Sequence, residues 1–239
     1  MDIRWLGHSA FEIVTDNDIN ILIDPFISNN PACPVPVEEL NPDIILVTHG
    51  HSDHLGDAME ISNLTKAPIA AIHEVSLFLS KQGIETIGVN IGGSFIFRGI
   101  KFTMLDAKHS SDIDMVEEVV PGGVAASFLI TFEDGTSIFH SGDTGLFGDM
   151  KTIIGDIYKP DIVMLPIGDK FTMGPFEAAL ASMWLNPKIT IPMHYNTFPA
   201  IEQDPTIFAN FVMQFNPKIN TVILNPNEYF EYNPNEYSD

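Results

Sequence analysis

Cysteine occurs once in this chain, at Cys33, so no internal disulfide can form, and a reducing compartment fits that usage. Cys33 lies in the proline-rich loop Pro31-Ala-Cys-Pro-Val-Pro36, where it reads as a free thiol rather than a nucleophile. Basic residues are scarce. Lysine and arginine number 11 among 239 residues, against 32 acidic ones, for a formal net charge of −21. Binding to nucleic acid relies on Lys and Arg to neutralise phosphates, and these few are spread without a cluster. Nucleic acids and anionic membranes are therefore not expected as partners. The acidity itself implies little beyond solubility. No apolar run approaches the ~20 residues of a membrane helix. The start, Met1-Asp-Ile-Arg-Trp-Leu6, has no basic region before an apolar one, so no signal peptide is expected. A cytoplasmic location follows as the expectation.

Hydrophobic residues make up 45% of the chain, enough for a full core, and its length suits one large α/β domain or two smaller halves. Residues 2–14 and 19–24 predict strands, with Thr15-Asp-Asn-Asp18 as the turn between them. Residues 25–36 form a loop on their prolines. The short apolar run from Asp43 to Val47 predicts a strand buried on both faces. Further strands are expected at 68–72, 94–98, 100–106, 124–132, 136–141, 161–167, 188–193 and 221–224, followed by a polar tail. Helices are expected at 54–65, 74–82, 147–157, 175–185 and 204–215, with Pro175 suited to a first helical turn.

An internal echo runs through these elements. Phe11-Glu-Ile-Val-Thr15, Asn20-Ile-Leu-Ile-Asp24 and Asn41-Pro-Asp-Ile-Ile-Leu-Val47 recur in order as Phe128-Leu-Ile-Thr-Phe132, Ser137-Ile-Phe-His-Ser-Gly-Asp143 and Lys159-Pro-Asp-Ile-Val-Met-Leu165. The expected organisation is one fused domain over 1–239 with two β-rich halves of similar plan, about 1–115 and 116–239. Asp24 and Asp143 then hold matching places.

The chemistry concentrates in Val47-Thr-His49-Gly-His51-Ser-Asp53-His54-Leu-Gly56-Asp57. Three imidazoles and a carboxylate within six residues have lone pairs and charge that repel one another unless a cation sits among them. Imidazole and carboxylate are the ligands of zinc, manganese and iron. Four further polar clusters stand at strand ends: Lys108-His109, His140-Ser-Gly-Asp143, Asp169-Lys-Phe-Thr172 and Met193-His194. Strand ends are where loops of an α/β sheet converge.

In this order, His49-x-His51-x-Asp53-His54, His109, Asp143 and His194 resemble the five motifs of the metallo-β-lactamase superfamily, the match beginning at Asp24. Trp5-Leu-Gly-His8, Gly142-Asp-Thr-Gly-Leu-Phe-Gly148 and Pro192-Met-His-Tyr195 further resemble its metal-dependent hydrolase branch related to L-ascorbate-6-phosphate lactonase. The resemblance implies an α/β fold, a four-layer αββα sandwich of two mixed β-sheets flanked by helices. It also implies a dinuclear site, with His49, His51 and His109 on one ion, Asp53, His54 and His194 on the other, and Asp143 bridging. Seven ligands exceed what one tetrahedral ion takes but suit two. Two divalent ions, zinc first and manganese or iron as alternatives, are the expected cofactors. The implied activity is hydrolysis of a small ester, lactone, thioester or phosphodiester by a metal-activated water, with Asp53 as the residue that orients or deprotonates it.

Around these stand residues of secondary interest. Asp24 is expected to orient a ligand imidazole. His8 is placed at the rim of the site or in packing, with neither favoured. His140 should face away from Asp143 by strand alternation and either support a ligand from behind or act structurally, rather than ligate. Asp169 and Thr172 belong to a loop that walls the pocket or lies on the surface. His73 reads as a helix start and Asp57 as a carboxylate near a helix N-terminus. Lys108, Lys170 and Lys188 are the only cations near these loops, so no basic pocket marks a phosphosugar substrate. Two other readings of the same ligands are a di-iron redox protein and a catalytically silent metal-binding module. A small molecule is the expected partner, and association into several subunits fits the lactonase relatives.

Overall fold

The first segment turns back sooner than its alternation implies. Residues 2–14 form two strands, β1 (Asp2–Gly7) and β2 (Ala10–Val14), paired antiparallel with Ile3 opposite Ile13 and Gly7 opposite Ala10. The two-residue turn is His8-Ser9; His8 takes a left-handed φ of 56° in it, and Gly7, the last residue of β1, takes φ 94° just before it. The computed structural model describes residues 1–115 and 117–237. The chain divides into two compact units, Met1–Ile91 with Ser110–Ala125 and Leu224–Asp239, and Gly92–His109 with Ala126–Ile223.

In the first unit β3 (Asn20–Ile23) pairs antiparallel with β2. β4 (Ile44–Leu46), β5 (Ile69–Ile72) and β6 (Thr86–Val89) then add in parallel. The strand Tyr229–Glu231 returns to pair antiparallel with β1 and completes a seven-stranded mixed sheet. The helices α1 (Ser52–Leu55), α2 (Ala58–Thr65) and α3 (His73–Lys81) lie in the connections between the parallel strands. Ile44, Ile45, Leu46 and Val47 have no exposed surface, which explains why this strand is apolar throughout rather than alternating. Burying each such side chain stabilises the fold by about 1.5–3 kcal/mol. A two-stranded ribbon, Asp112–Ile113 with Val120–Pro121, also belongs to this unit.

The second unit carries another seven-stranded mixed sheet. A hairpin of β7 (Ser94–Phe97) and β8 (Ile100–Asp106) leads to β9 (Ala126–Thr131), which is antiparallel to β8 and to β10 (Ser137–His140). β11 (Ile162–Pro166) and β12 (Ile189–Met193) follow in parallel, and Asn220–Thr221 closes the edge. Its helices are Met150–Tyr158, α4 (Pro175–Leu185) and α5 (Pro205–Phe215). The first ends with Lys159 N–H donating to the carbonyl of Ile154, five residues back, the wider π pattern. Among the described residues no helix is long and apolar enough to cross a membrane.

The pairing pattern antiparallel, parallel, parallel runs over β2–β3–β4–β5 in one sheet and over β9–β10–β11–β12 in the other. The echoed sequences therefore occupy equivalent strands. In each sheet this pattern points several strands the same way. β1, β3, β4 and β5 share a direction, so His8, Asp24, His49 and His73 leave one edge of the first sheet. β8, β10, β11 and β12 share theirs, so His109, Asp143, Asp169 and His194 leave one edge of the second.

Candidate metal centre

In the first unit the donors are organised from Asp24, which follows β3 and has no exposed surface. Its Oδ1 accepts the Thr48 backbone N–H at 2.8 Å. Its Oδ2 accepts the Thr48 hydroxyl at 2.7 Å and His54 Nδ1–H at 2.8 Å. The Thr48 hydroxyl has one proton and spends it on Asp24. It must therefore accept from His49 Nδ1–H, 3.0 Å away. Both buried imidazoles are thus fixed as Nδ1–H tautomers, and each carries its lone pair on Nε2. Their rings are tilted at 44° with centroids 4.0 Å apart, and one ligand atom from each lies within 4.8 Å of the other.

His51 stands at the N-terminal boundary of α1, and its Nδ1 is 3.0 Å from His49 Nε2 while its Nε2 meets the Ser110 hydroxyl at 3.2 Å. His49 Nε2 and His51 Nδ1 therefore face each other, both nitrogens of a type that ligates a cation. Asp53 lies in the first turn of α1 and is partly exposed, with Oδ1 3.9 Å from His54 Nε2 and Oδ2 3.1 Å from His8 Nε2. One ligand atom each from His8, Asp53 and His54 lies within 4.8 Å of the others. The loop bearing these groups is packed tightly. A Cβ at Gly50 would lie 2.9 Å from the carbonyl oxygen of Asp112, and one at Gly56 would collide with that of Pro25.

The second unit contributes His109, Asp143 and His194. Asp143, 2% exposed, has Oδ2 2.9 Å from His194 Nε2 and 3.6 Å from His109 Nε2. Two imidazole nitrogens thus converge on one carboxylate oxygen. Lys108 N–H donates to the Thr144 hydroxyl at 2.9 Å and Gly145 N–H to the Lys108 carbonyl at 3.2 Å, tying the His109 loop to the Asp143 loop. His140, fully buried, accepts Gly142 N–H on Nδ1 at 3.2 Å and shapes the turn into Asp143. His194 follows β12 in the left-handed conformation at φ 55°. Gly168 lets it fit, since a Cβ there would meet the His194 carbonyl oxygen and stand 3.1 Å from its Nδ1. Beside it, burial pushes the Tyr195 phenol up to about 12, so it stays neutral.

The remaining residues separate by contact. Asp169 is exposed at φ 70°, and Thr172 Oγ donates to the Met173 carbonyl at 3.3 Å. Their loop is anchored by Met173 N–H to the Thr144 carbonyl at 3.0 Å, next to Asp143. Asp57 precedes α2 without capping it. Its Oδ2 instead accepts Ile27 N–H at 2.8 Å and Ser28 N–H at 2.9 Å, pinning the proline-rich loop. His73 begins α3, exposed. Burial pushes the Cys33 thiol up, which suits an inert side chain. Lys108 pairs with Asp106, and Lys188 with Asp161 at 3.0 Å. Sequence reasoning missed Thr48, although it immediately precedes His49. A hydroxyl there is the signal, since it can pass one proton to a carboxylate while accepting one from the neighbouring imidazole.

Imidazole nitrogens with fixed lone pairs and carboxylate oxygens, most of them buried, form a donor set that fits divalent transition ions. The sequence profile of the Beta-lactamase superfamily domain matches residues 19–195. A UPF0173 metal-dependent hydrolase of Methanobrevibacter smithii is 78% identical over 239 residues, covering 100% of both chains. One of Methanosphaera stadtmanae is 56% identical over 229 residues, covering 95% of this chain and 98% of that one. Among solved structures, Igni18, a metallo hydrolase from the hyperthermophilic archaeon Ignicoccus hospitalis, is 36% identical with a TM-score of 0.87, covering 97% of this chain and 99% of that chain.

Proposed function

This chain belongs to the metallo-β-lactamase superfamily and, within it, to the UPF0173 metal-dependent hydrolases, and we propose that it hydrolyses a small ester, lactone, thioester or phosphodiester with two divalent cations. In this reading His49, His51, Asp53 and His54 of the first unit and His109, Asp143 and His194 of the second are the ligands, with zinc the first candidate and manganese or iron the alternatives. The observation that carries it is the Asp24–Thr48 network, which spends a buried carboxylate to fix His49 and His54 with Nε2 as donor. Such imidazole orientation keeps the Nε2 lone pair of each ring available for ligation, as carboxylates behind metal-binding histidines do.

Bound cations supply Lewis acidity and lower the pKa of water toward neutrality. The chain's own groups do the rest. In this reading Asp53, partly exposed at the start of α1, orients a water or takes its proton. Lys108 and Lys188 pair with Asp106 and Asp161 and Lys170 lies over the Phe171 ring, which favours substrates without a phosphosugar group. A soluble cytoplasmic enzyme acting on a small molecule fits the lone Cys33 and the scarcity of basic residues.

The test is a panel of lactones, aryl esters, thioesters and phosphodiesters run on protein reconstituted with zinc, manganese or iron, alongside elemental analysis. About two metal ions per chain are expected, with hydrolysis in at least one class reduced by more than about 100-fold in Asp143→Ala. Protein that takes up no transition metal, or hydrolysis indifferent to Asp143→Ala, would sink the reading.

A further inference from the structure

His8 sits where a hairpin turn is ordinarily exposed and built from Gly, Asn or Asp. Here the turn between β1 and β2 is inside the protein. His8 has no exposed surface and holds a left-handed backbone at φ 56°, immediately after Gly7 at φ 94°. Trp5 Nε1–H donates to the His8 carbonyl at 3.0 Å and so fixes the turn from within β1. The imidazole is held edge-on to Phe26 with centroids 5.6 Å apart, and to His54 with centroids 5.5 Å apart.

A packing role explains the contact with Phe26. It does not explain the direction of the polar edge, which places Nε2 3.1 Å from Asp53 Oδ2. Asp53 is a surface-reaching carboxylate in the first turn of a four-residue helix, and its own backbone leaves the side chain several rotamers. With Oδ2 accepting from His8, the rotation of the carboxyl group is set and Oδ1 turns to the His54 side, 3.9 Å from Nε2. Asp24 fixes His54 from behind through Nδ1 at 2.8 Å. The two members of the pair are thus each held by a buried partner, His54 by Asp24 and Asp53 by His8.

We infer that His8 is the positioning residue for Asp53: its Nε2–H holds one carboxylate oxygen so that the other is presented beside His54 Nε2 to a divalent cation. The inference rests on the metal-site reading above and adds to it the group that makes Asp53 a pre-oriented donor. Substitution of a group that orients a metal ligand typically costs 10–100-fold in metal affinity.

The experiment uses the full chain, stripped with a chelator and titrated with Zn2+ against a chromophoric competitor, so that affinity is read without activity. His8→Gln puts an amide N–H near the position of Nε2, whereas His8→Asn puts it near Nδ1, too short to reach Asp53. Circular dichroism of the stripped proteins checks that each variant folds. His8→Asn is expected to lose 10–100-fold in affinity for one of the two ions and to leave the other unchanged. His8→Gln should stay within about threefold of the parent. In an Asp53→Ala background the two substitutions should be indistinguishable, because the group they act through is gone. Parent-like affinity in His8→Asn, or a loss that persists undiminished without Asp53, overturns the inference, the latter by making His8 a ligand in its own right. A parent that binds no Zn2+ at all would fail the metal-site reading instead, and is seen in the first titration.

Discussion

Asp24 is the residue on which the first unit's donors depend, because one oxygen serves two of them. Oδ2 accepts both the Thr48 hydroxyl and His54 Nδ1–H, and through Thr48 it also fixes the tautomer of His49. Asparagine has nearly the same shape but only one acceptor oxygen, and its NH2 group would face a donor whichever way it is placed. Asp24→Asn should therefore either strand a buried donor, at a cost of about 1–3 kcal/mol in the metal-free protein, or drive His49 and His54 into Nε2–H tautomers that cannot ligate through Nε2. It should also weaken Zn2+ binding by about 10–100-fold, since two ligand rings lose their anchor. Urea denaturation of the stripped protein and competitive Zn2+ titration measure the two separately. Unchanged affinity in a folded Asp24→Asn protein would show that the rings need no anchor. Most of the candidate donor cluster was legible at this scale because side chains that can ligate a cation gather, and gathering leaves a dense motif. Thr48 and the inward direction of His8 were not legible, because a single hydroxyl or imidazole reports its partners only through geometry.

Among the elements, the strands of the second sheet matter for where their ends leave His109, Asp143 and His194. β11 and β12 run side by side, with Pro166 opposite Met193, so Gly168 and His194 emerge as neighbours. A methyl group at Gly168 would meet the His194 carbonyl oxygen, which belongs to the backbone and cannot rotate away. Gly168→Ala should cost about 1–3 kcal/mol through overpacking and displace His194. At Gly148 nothing lies within 4 Å of where a methyl group would stand, so Gly148→Ala should stay within about 0.5 kcal/mol of the parent. Denaturation midpoints of the two variants, with the slope checked for constancy, give the comparison. Equal stability would remove the steric account of this glycine. The runs that predict β4, β8, β11, β12, α4 and α5 are each long or apolar enough to stand out, and the structure has them within a few residues. The turn at His8 and Ser9 escaped because alternation continues across it and only backbone φ breaks it. The strand Tyr229–Glu231 escaped for another reason. Its partner β1 lies at the other end of the chain, with Asp2 opposite Glu231, and no local pattern encodes a pairing of that span. β6 and the short ribbon at Asp112–Ile113 have too few residues to show a period.

At the scale of the whole molecule the net charge of −21 acts on stability as well as on partners. Like charges crowded onto a folded chain repel, and unfolding relieves that repulsion by spreading them apart. Salt screens charges beyond a Debye length of about 10 Å at 0.1 M and about 3 Å at 1 M. The metal-free protein should therefore gain thermal stability as NaCl rises from ~0.01 M to ~0.15 M, with most of the gain complete by the upper value. Screening distinguishes itself from general salting-out by that saturation, because preferential exclusion of salt continues to grow in the molar range. A transition temperature measured in a chelator-containing buffer separates the effect from cation binding at the His/Asp cluster. The scarce lysines sharpen the expectation, since two of those near the site loops already face their own carboxylates, Lys108 on Asp106 and Lys188 on Asp161. Exposed pairs of that kind contribute only about 0–1 kcal/mol and weaken with salt, so they oppose the trend feebly. A transition temperature that falls with NaCl would mean that attractive pairs, not the net negative charge, govern the electrostatics of this chain.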